Sequence, residues 1–385
     1  VKLIERGPMS LSWISKYRGE IFGIAIITIM LFHFGDDCKD AFSQGLIDPA
    51  AHPIFRFIVY TYMKYIGSIG VEVFLFLSGV GLYYSFSKDQ RLGNFYRKRV
   101  LRILPTYLII GVLFWGVKDF GLYGYGVGRF FKDFFFVTLF TDYTRTMWFV
   151  GLIMFLYVIF PIVYHCIFAP NTEKGQIVSL SVLIAICAAF TVLLSKVNPG
   201  LYENVQIAVT RIPIFILGCY MGKHIKNGVY IPRNIALKIM LGIMTCQVIF
   251  LEIYDGTYLS VPARYMDSLY SVAVLMGVTL LFHKLREKEV MRKFLRKAGD
   301  YSLELCVTHL CLRNLMKLYG LHGYNPVHYF GMIAYAVLLS IALKYLAGWL
   351  EKGLDKATGH IHFTNPLRHL RLKIKGHAVS EEHNS

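Results

Sequence analysis

Apolar residues along this 385-residue chain fall into long blocks separated by short polar stretches. Ten blocks stand out, at 20–35, 70–87, 104–120, 147–168, 176–195, 207–222, 235–253, 267–283, 299–318 and 329–349. A bilayer core about 30 Å thick calls for roughly 20 apolar residues per spanning helix. Several blocks fall short of that, so their ends are expected to continue as helix beyond the hydrocarbon. The first block follows nineteen rather polar residues and carries no small-residue cleavage site, which reads as a retained helix rather than a signal peptide. The pattern predicts an all-α, polytopic membrane helical bundle of about ten transmembrane helices.

Composition agrees. Charged residues make up 17% of the chain, against about 25% in a typical soluble domain, and hydrophobic residues make up 55%. Seven cysteines are too sparse for a disulfide scaffold, and all but Cys38 lie in or beside apolar blocks. The formal charge of +17 is mainly an orientation signal. With the N-terminus inside, 28 of the 41 Lys and Arg residues fall in inner segments and nine in outer ones. This bias predicts an N-in, C-in topology. Because the charges are dispersed among loops, no nucleic-acid module is expected. Residues 1–350 read as one membrane domain without internal repeats, and 351–385 as a basic cytoplasmic tail. The tail's His360 and His362 form an H-x-H pair, more simply read as part of a solvated segment than as a metal site, and no metal is expected.

Ionisable groups at membrane depth are costly and so become functional candidates. His33 lies near the outer end of the first span, followed by Asp36 and Asp37. Glu72 lies near the outer end of the second, Trp148 opens the fourth from outside, Arg211 sits one turn into the sixth, and His309 falls near the middle of the ninth. Each has a structural alternative. Glu72 and Arg211 would satisfy each other as an ion pair, Trp148 would belong to an aromatic belt, His33 would be a satisfied packing residue, and His309 would hydrogen-bond across helices as glue. Arg313, one turn beyond His309, reads as a snorkelling cation.

At the inner face, FYRKRVLRILP puts Arg97, Lys98, Arg99 and Arg102 just before the third span. Arg99 and Arg102 are three apart and share one helix face, an arrangement suited to clamping a phosphate or to meeting anionic lipid. No GxxxxGK[ST], GxSxG or HExxH pattern occurs, which argues against an NTPase, an α/β-hydrolase and a zincin.

Together these blocks resemble the acyltransferase-3 family of bacterial integral-membrane O-acyltransferases. FGIAIITIMLFH resembles its first helix, SIGVEVFLFLSG its acidic block, and YRKRVLRILP its R-x-x-R before proline. MWFVGLIMFLYVIFP resembles its W-F helix and DYSLELCVTH its late serine-to-histidine motif. The five occur in the family's order.

The resemblance implies transfer of an acyl group, usually acetyl, from cytoplasmic acyl-CoA to a hydroxyl of a cell-surface or exported glycan. The acceptor would be a glycan or lipid-linked glycan, and the site the bacterial plasma membrane with its lipids. No tightly bound cofactor is implied. His33 would be the essential histidine, as base or transient acyl carrier, with Glu72 and His309 at the acidic and late-histidine positions. Arg99 and Arg102 would lie near the CoA phosphates, and Trp148 and Arg211 near the substrate.

Imidazole suits the activation of a sugar hydroxyl near neutral pH. Asp36, Asp37 or Glu72 is expected to orient His33, and Arg211 to stabilise the oxyanion. Two positions depart from the family pattern. Phe22 stands where a basic residue is usual, with Arg18 one turn below it on nearly the same face, and Cys306 replaces the usual tyrosine of the late motif. The rival reading is a multi-pass transporter or flippase, in which the intramembrane His, Glu and Arg would serve protons or substrate.

Overall fold

The computed structural model describes residues 7–67, 69–253 and 261–358. Sixteen helices and one two-stranded ribbon make up the ordered elements among them. In chain order these are α1 (Ser12–Lys16), α2 (Arg18–Ser43), α3 (Pro53–Tyr65), α4 (Ile69–Phe86), α5 (Leu92–Trp115), α6 (Val127–Phe134), α7 (Val137–Thr141) and α8 (Trp148–Phe168). There follow α9 (Glu173–Val197), α10 (Pro199–Val209), α11 (Ile212–Lys226), α12 (Arg233–Ile253), α13 (Val261–Lys284), α14 (Glu289–Asp300), α15 (Ser302–Leu318) and α16 (Pro326–Thr358). Helix α5 runs on through a π-helical stretch, Gly116–Leu122.

Among the described residues, nine stretches are long and apolar enough to cross a membrane. The tenth expected span corresponds to α15, which at 17 residues is about 25 Å long. It is short for a span and carries three charged residues, Glu304, Arg313 and Lys317. Its two ends nevertheless meet opposite ends of α2. At one end its neighbour α14 packs against α2 near Gly19, and at the other Lys317 reaches Asp37 at 2.5 Å. Buried pairing with other helices replaces the lipid-facing apolar surface that the other spans show.

Contacts between loops sort them into two sides. β1 (Met9–Ser10) pairs antiparallel with β2 (Tyr230–Ile231), and Arg97 bridges to Asp355 at 2.8 Å, joining segments all expected inside. Lys64 meets Glu252 at 2.7 Å, and Arg145 Nη2 donates to the Glu203 carbonyl at 2.6 Å, joining segments expected outside. Among the described residues, no such contact joins an expected inner loop to an expected outer one. Lys226 Nζ donates to Ser87 Oγ at 2.9 Å and links the two inner pairs, so both ends of the described chain share a side, as an even number of crossings requires.

Two close crossings set the core. A Cβ on Gly79 of α4 would lie 2.3 Å from the Phe215 carbonyl oxygen of α11, and one on Gly218 would lie 2.2 Å from that of Phe76. Small residues let backbones approach where no hydrophobic force drives helices together in lipid. The second crossing seats α14 on α2, where a Cβ on Gly23 would meet the Leu295 carbonyl oxygen. There Glu20, fully buried, takes Arg292 at 3.0 Å and Arg296 at 2.7 Å.

The structure adds elements in segments read as loops. Helix α3 occupies part of 36–66 and docks on α2 through Tyr62, whose hydroxyl donates to the Thr28 carbonyl at 2.9 Å. Helix α14 is amphipathic and lies in the segment expected inside. The sixth block is two helices, α10 and α11, broken at Thr210–Arg211 ahead of Pro213, whose missing N–H suits a first helical turn. Helix α16 runs past residue 350 to Thr358, so the proposed domain boundary falls within a helix. His360 and His362 lie outside the described residues.

Two outcomes are expected from this packing. Cysteines placed at Ser43 and Lys88, both exposed, should be labelled by an impermeant maleimide from outside and inside respectively; labelling from one side only would refute the topology. Gly79→Leu should force α4 and α11 apart, at a cost of at least about 1–3 kcal/mol, read as a lower unfolding temperature of the detergent-purified protein.

Candidate active site

A cavity of about 1020 Å³ runs through the bundle. Its inner end is lined by Arg18, Lys98, Arg99 and Arg102, its middle by Phe22, Phe74, His33 and Cys306, and its outer end by Arg145, Trp148, Arg211 and Arg264. Helix α2 orders these levels, since Arg18 and His33 are fifteen residues apart, about 22 Å along the axis.

The four inner cations have no acidic partner among the described residues. Arg99 donates to Ser85 Oγ at 3.2 Å and lies over the Phe95 and Tyr157 rings, while its Nε is buried without a partner. Arg18 reaches this cluster from α2 and lies over Phe22, 5.2 Å from the ring centroid. The basic group displaced by one turn thus lines the same cavity as Arg99 and Arg102, and Phe22 serves as the platform beneath it. Like charges held together without counter-ions favour binding of an anion.

His33 and His309 are brought together, with ring centroids 5.4 Å apart. Their tautomers follow from their partners. Arg313 Nη1 donates to His33 Nδ1 at 3.3 Å; a guanidinium has no acceptor, so the His33 ring proton sits on Nε2. His309 Nδ1 lies 2.7 Å from the Leu305 carbonyl, which can only accept, so His309 carries its proton there. Its Nε2 is buried without a partner. His309 is fully buried behind His33 and does not line the cavity.

Three expectations need correcting. Arg313 is not a snorkelling cation: its side chain is 12% exposed and donates to Asp37 Oδ1 at 2.6 Å and Asp36 Oδ2 at 3.0 Å. Two carboxylates about two turns from the outer end of α2 hold it inside the bundle. For the same reason Asp36 and Asp37 do not orient His33 directly; they hold the arginine that does. Glu72 does not orient His33 either. It pairs with Arg211 Nε at 2.8 Å, with both side chains almost fully buried.

Arg211 also donates to the Ile207 carbonyl at 2.7 Å and lies 5.4 Å from the Trp148 ring centroid, so Trp148 packs on this ion pair. Arg211 sits at the α10–α11 break, where Pro213 prevents the helix from continuing back through it. Glu72 stays behind the cavity wall, which Arg211 and Trp148 reach.

Lys98, Arg145, Arg264 and Asp267 line the cavity but were not singled out from sequence as site residues. Lys98 was visible in the basic run, and Arg145 in the TRTMWFV segment beside Trp148. Arg264 and Asp267 flank the start of an apolar block and carry no motif that would mark them.

No curated protein and no solved structure matches this chain. A family model described as an acyltransferase domain matches residues 23–345. That span holds His33, the Arg99 and Arg102 pair, Trp148 and His309, and this polytopic membrane protein belongs to the acyltransferase-3 family.

Proposed function

We propose that the chain is an O-acyltransferase of the bacterial plasma membrane, moving an acyl group, most simply acetyl, from cytoplasmic acyl-CoA to a hydroxyl of an exported glycan. The observation that carries this reading is the single cavity that joins an unpaired inner basic cluster to His33 and then to the outer face. CoA is a polyanion with a long flexible arm. Its phosphates would meet Arg18, Lys98, Arg99 and Arg102, and the arm would extend along Phe22 and Phe74 toward His33. The acceptor hydroxyl would enter from the outer end.

The His33 tautomer supports a choice of reacting nitrogen. Nδ1 holds the ring's lone pair, so it is the nitrogen that accepts the hydroxyl proton or attacks the thioester carbonyl. Either event requires the incoming group to take the place of Arg313 Nη1 at Nδ1. Arg313 stays anchored by Asp36 and Asp37 and is then the cation nearest the reacting carbonyl, placed to stabilise its oxyanion. This gives Arg313 the role first expected of Arg211, whose charge is occupied by Glu72. His309 backs the His33 ring.

Incubating purified protein with labelled acyl-CoA and a glycan acceptor tests the function: acylated glycan is expected, and glycan movement across vesicles without acylation would favour the transporter instead. Under the same assay His33→Ala should lower turnover at least about 10²–10⁴-fold, and His309→Gln should cost less. Arg99→Ala and Arg102→Ala should mainly raise KM for acyl-CoA, by about ten- to a hundredfold each; an unchanged KM in the double variant would return them to lipid contact.

A further outcome separates the structural and chemical roles of Arg313. Arg313→Gln leaves the buried Asp37 with only Lys317 and should lower stability as well as kcat. Adding Asp37→Asn should restore much of the stability. If kcat stays low in that double variant while KM for acyl-CoA is unchanged, Arg313 acts in the reaction; recovery of kcat would make it structural.

A further inference from the structure

The outer lobe of the cavity holds more positive charge than its acids balance. Arg145, Arg211 and Arg264 all line it. Arg211 is neutralised by Glu72 at 2.8 Å, and no ion pair within 4 Å holds Arg145 or Arg264 among the described residues. Both of their Nε atoms are buried without a hydrogen-bond partner. Arg145 is nonetheless fixed in place. Its Nη2 donates to the Glu203 carbonyl at 2.6 Å, and the guanidinium lies over Tyr143, 3.6 Å from the ring centroid.

Asp267 is the acid that lines the same lobe, one helical turn from Arg264. Its Oδ1 accepts from Gln247 Nε2 at 2.8 Å, and it forms no ion pair with that arginine. Arg211 repels both Arg145 and Arg264, while Glu203 attracts Arg145 and Asp267 and Glu72 attract Arg264 from beyond ion-pair distance.

We propose that this lobe is an oxyanion subsite, in which Arg145 and Arg264 hold a carboxylate or phosphate group carried by the acceptor. The proposal rests on the reading of the lobe as the acceptor's end of the cavity, and it names the acceptor class: an anionic glycan or an anionic lipid-linked glycan. The chemistry favours this over a neutral sugar. A guanidinium is all donor and its planar fork matches the two oxygens of a carboxylate or phosphate. Neutral hydroxyls would accept single hydrogen bonds and leave the excess charge in place, in surroundings where charge is poorly screened. The two sources, a uronic-acid carboxylate on the sugar and a diphosphate on a lipid carrier, share this recognition chemistry.

Binding to the full-length protein in nanodiscs tests the subsite without requiring turnover. All measurements use an Arg99→Gln, Arg102→Gln background, so that anions held at the inner cluster do not contribute. The probes are a uronic-acid oligosaccharide, its carboxyl-reduced neutral counterpart, and inorganic pyrophosphate. The uronate, the pyrophosphate or both should bind, more weakly at higher salt, with the reduced sugar at least tenfold weaker than the uronate when the carboxylate is the group recognised. The tighter anion identifies the source. Arg145→Gln and Arg264→Gln should each weaken anion binding about ten- to a hundredfold. Arg145→Lys and Arg264→Lys, which keep the charge, should recover part of it and guard against misfolded variants. Absence of anion binding, equal binding of uronate and reduced sugar with none of pyrophosphate, or unchanged binding in the variants would overturn the subsite. Anion binding by a protein that transfers no acyl group would uphold the subsite and refute the acyltransferase reading instead.

Discussion

The arrangement of this bundle depends on what an ionised group costs away from water. A charge removed to a low-dielectric interior needs a close counter-charge or access to a wet cavity. Both solutions are used, at different places. Glu20 takes two arginines of α14 at the inner end, Glu72 takes Arg211 near the centre, and Asp37 takes Arg313 and Lys317 near the outer end. Each pair ties together helices far apart in sequence. The cations without acidic partners, Arg18, Lys98, Arg99 and Arg102 inside and Arg145 and Arg264 outside, all line the cavity. Cations that a carboxylate meets are thus kept apart from those left unpaired, although Arg211 and Arg313 reach the cavity already paired.

Helix packing makes this separation possible. The α4–α11 crossing at Gly79 and Gly218 brings Glu72 and Arg211 to the same depth, and the seat of α14 on α2 brings Arg292 and Arg296 to Glu20. The break ahead of Pro213 takes Arg211 out of the middle of a continuous helix, and its side chain reaches Glu72. Central helices such as α4 are largely buried, whereas α9 and α12 expose most of their apolar surface to lipid.

How much of this was legible in the sequence follows from the range of each signal. Nine spans announce themselves by apolar length, which is a local property. Helix α15 is detected as an apolar block, yet its polar residues disguise how deeply it sits. Helices α3 and α14 lie in segments without an apolar block long enough to mark them. His33 and the Arg99 and Arg102 pair are visible because short motifs surround them. Arg313 was misread because snorkelling and pairing produce the same local pattern, and only the approach of α15 to Asp36 and Asp37 distinguishes them. Arg264 is a single cation before an apolar block, and its lack of a partner is a property of the folded bundle.

The histidine pair shows how the charge constraint reaches the chemistry. Arg313 would be a poor neighbour for a histidine that must accept a proton, since a second cation would oppose the imidazolium. Asp36 and Asp37 change that balance: with Arg313 and Lys317 they form a group of two negative and two positive charges beside His33. The arginine can therefore polarise a carbonyl in front of His33 without imposing its full charge on the ring. His309, with its proton committed to the Leu305 carbonyl, presents a lone pair at Nε2 and adds no charge of its own. A proton accepted at His33 Nδ1 would leave the ring protonated on both nitrogens, with that neutral lone-pair nitrogen on the neighbouring ring. In the proposed reaction the first carboxylates beyond the histidine would therefore serve at one remove, by balancing the charge of the arginine that meets it.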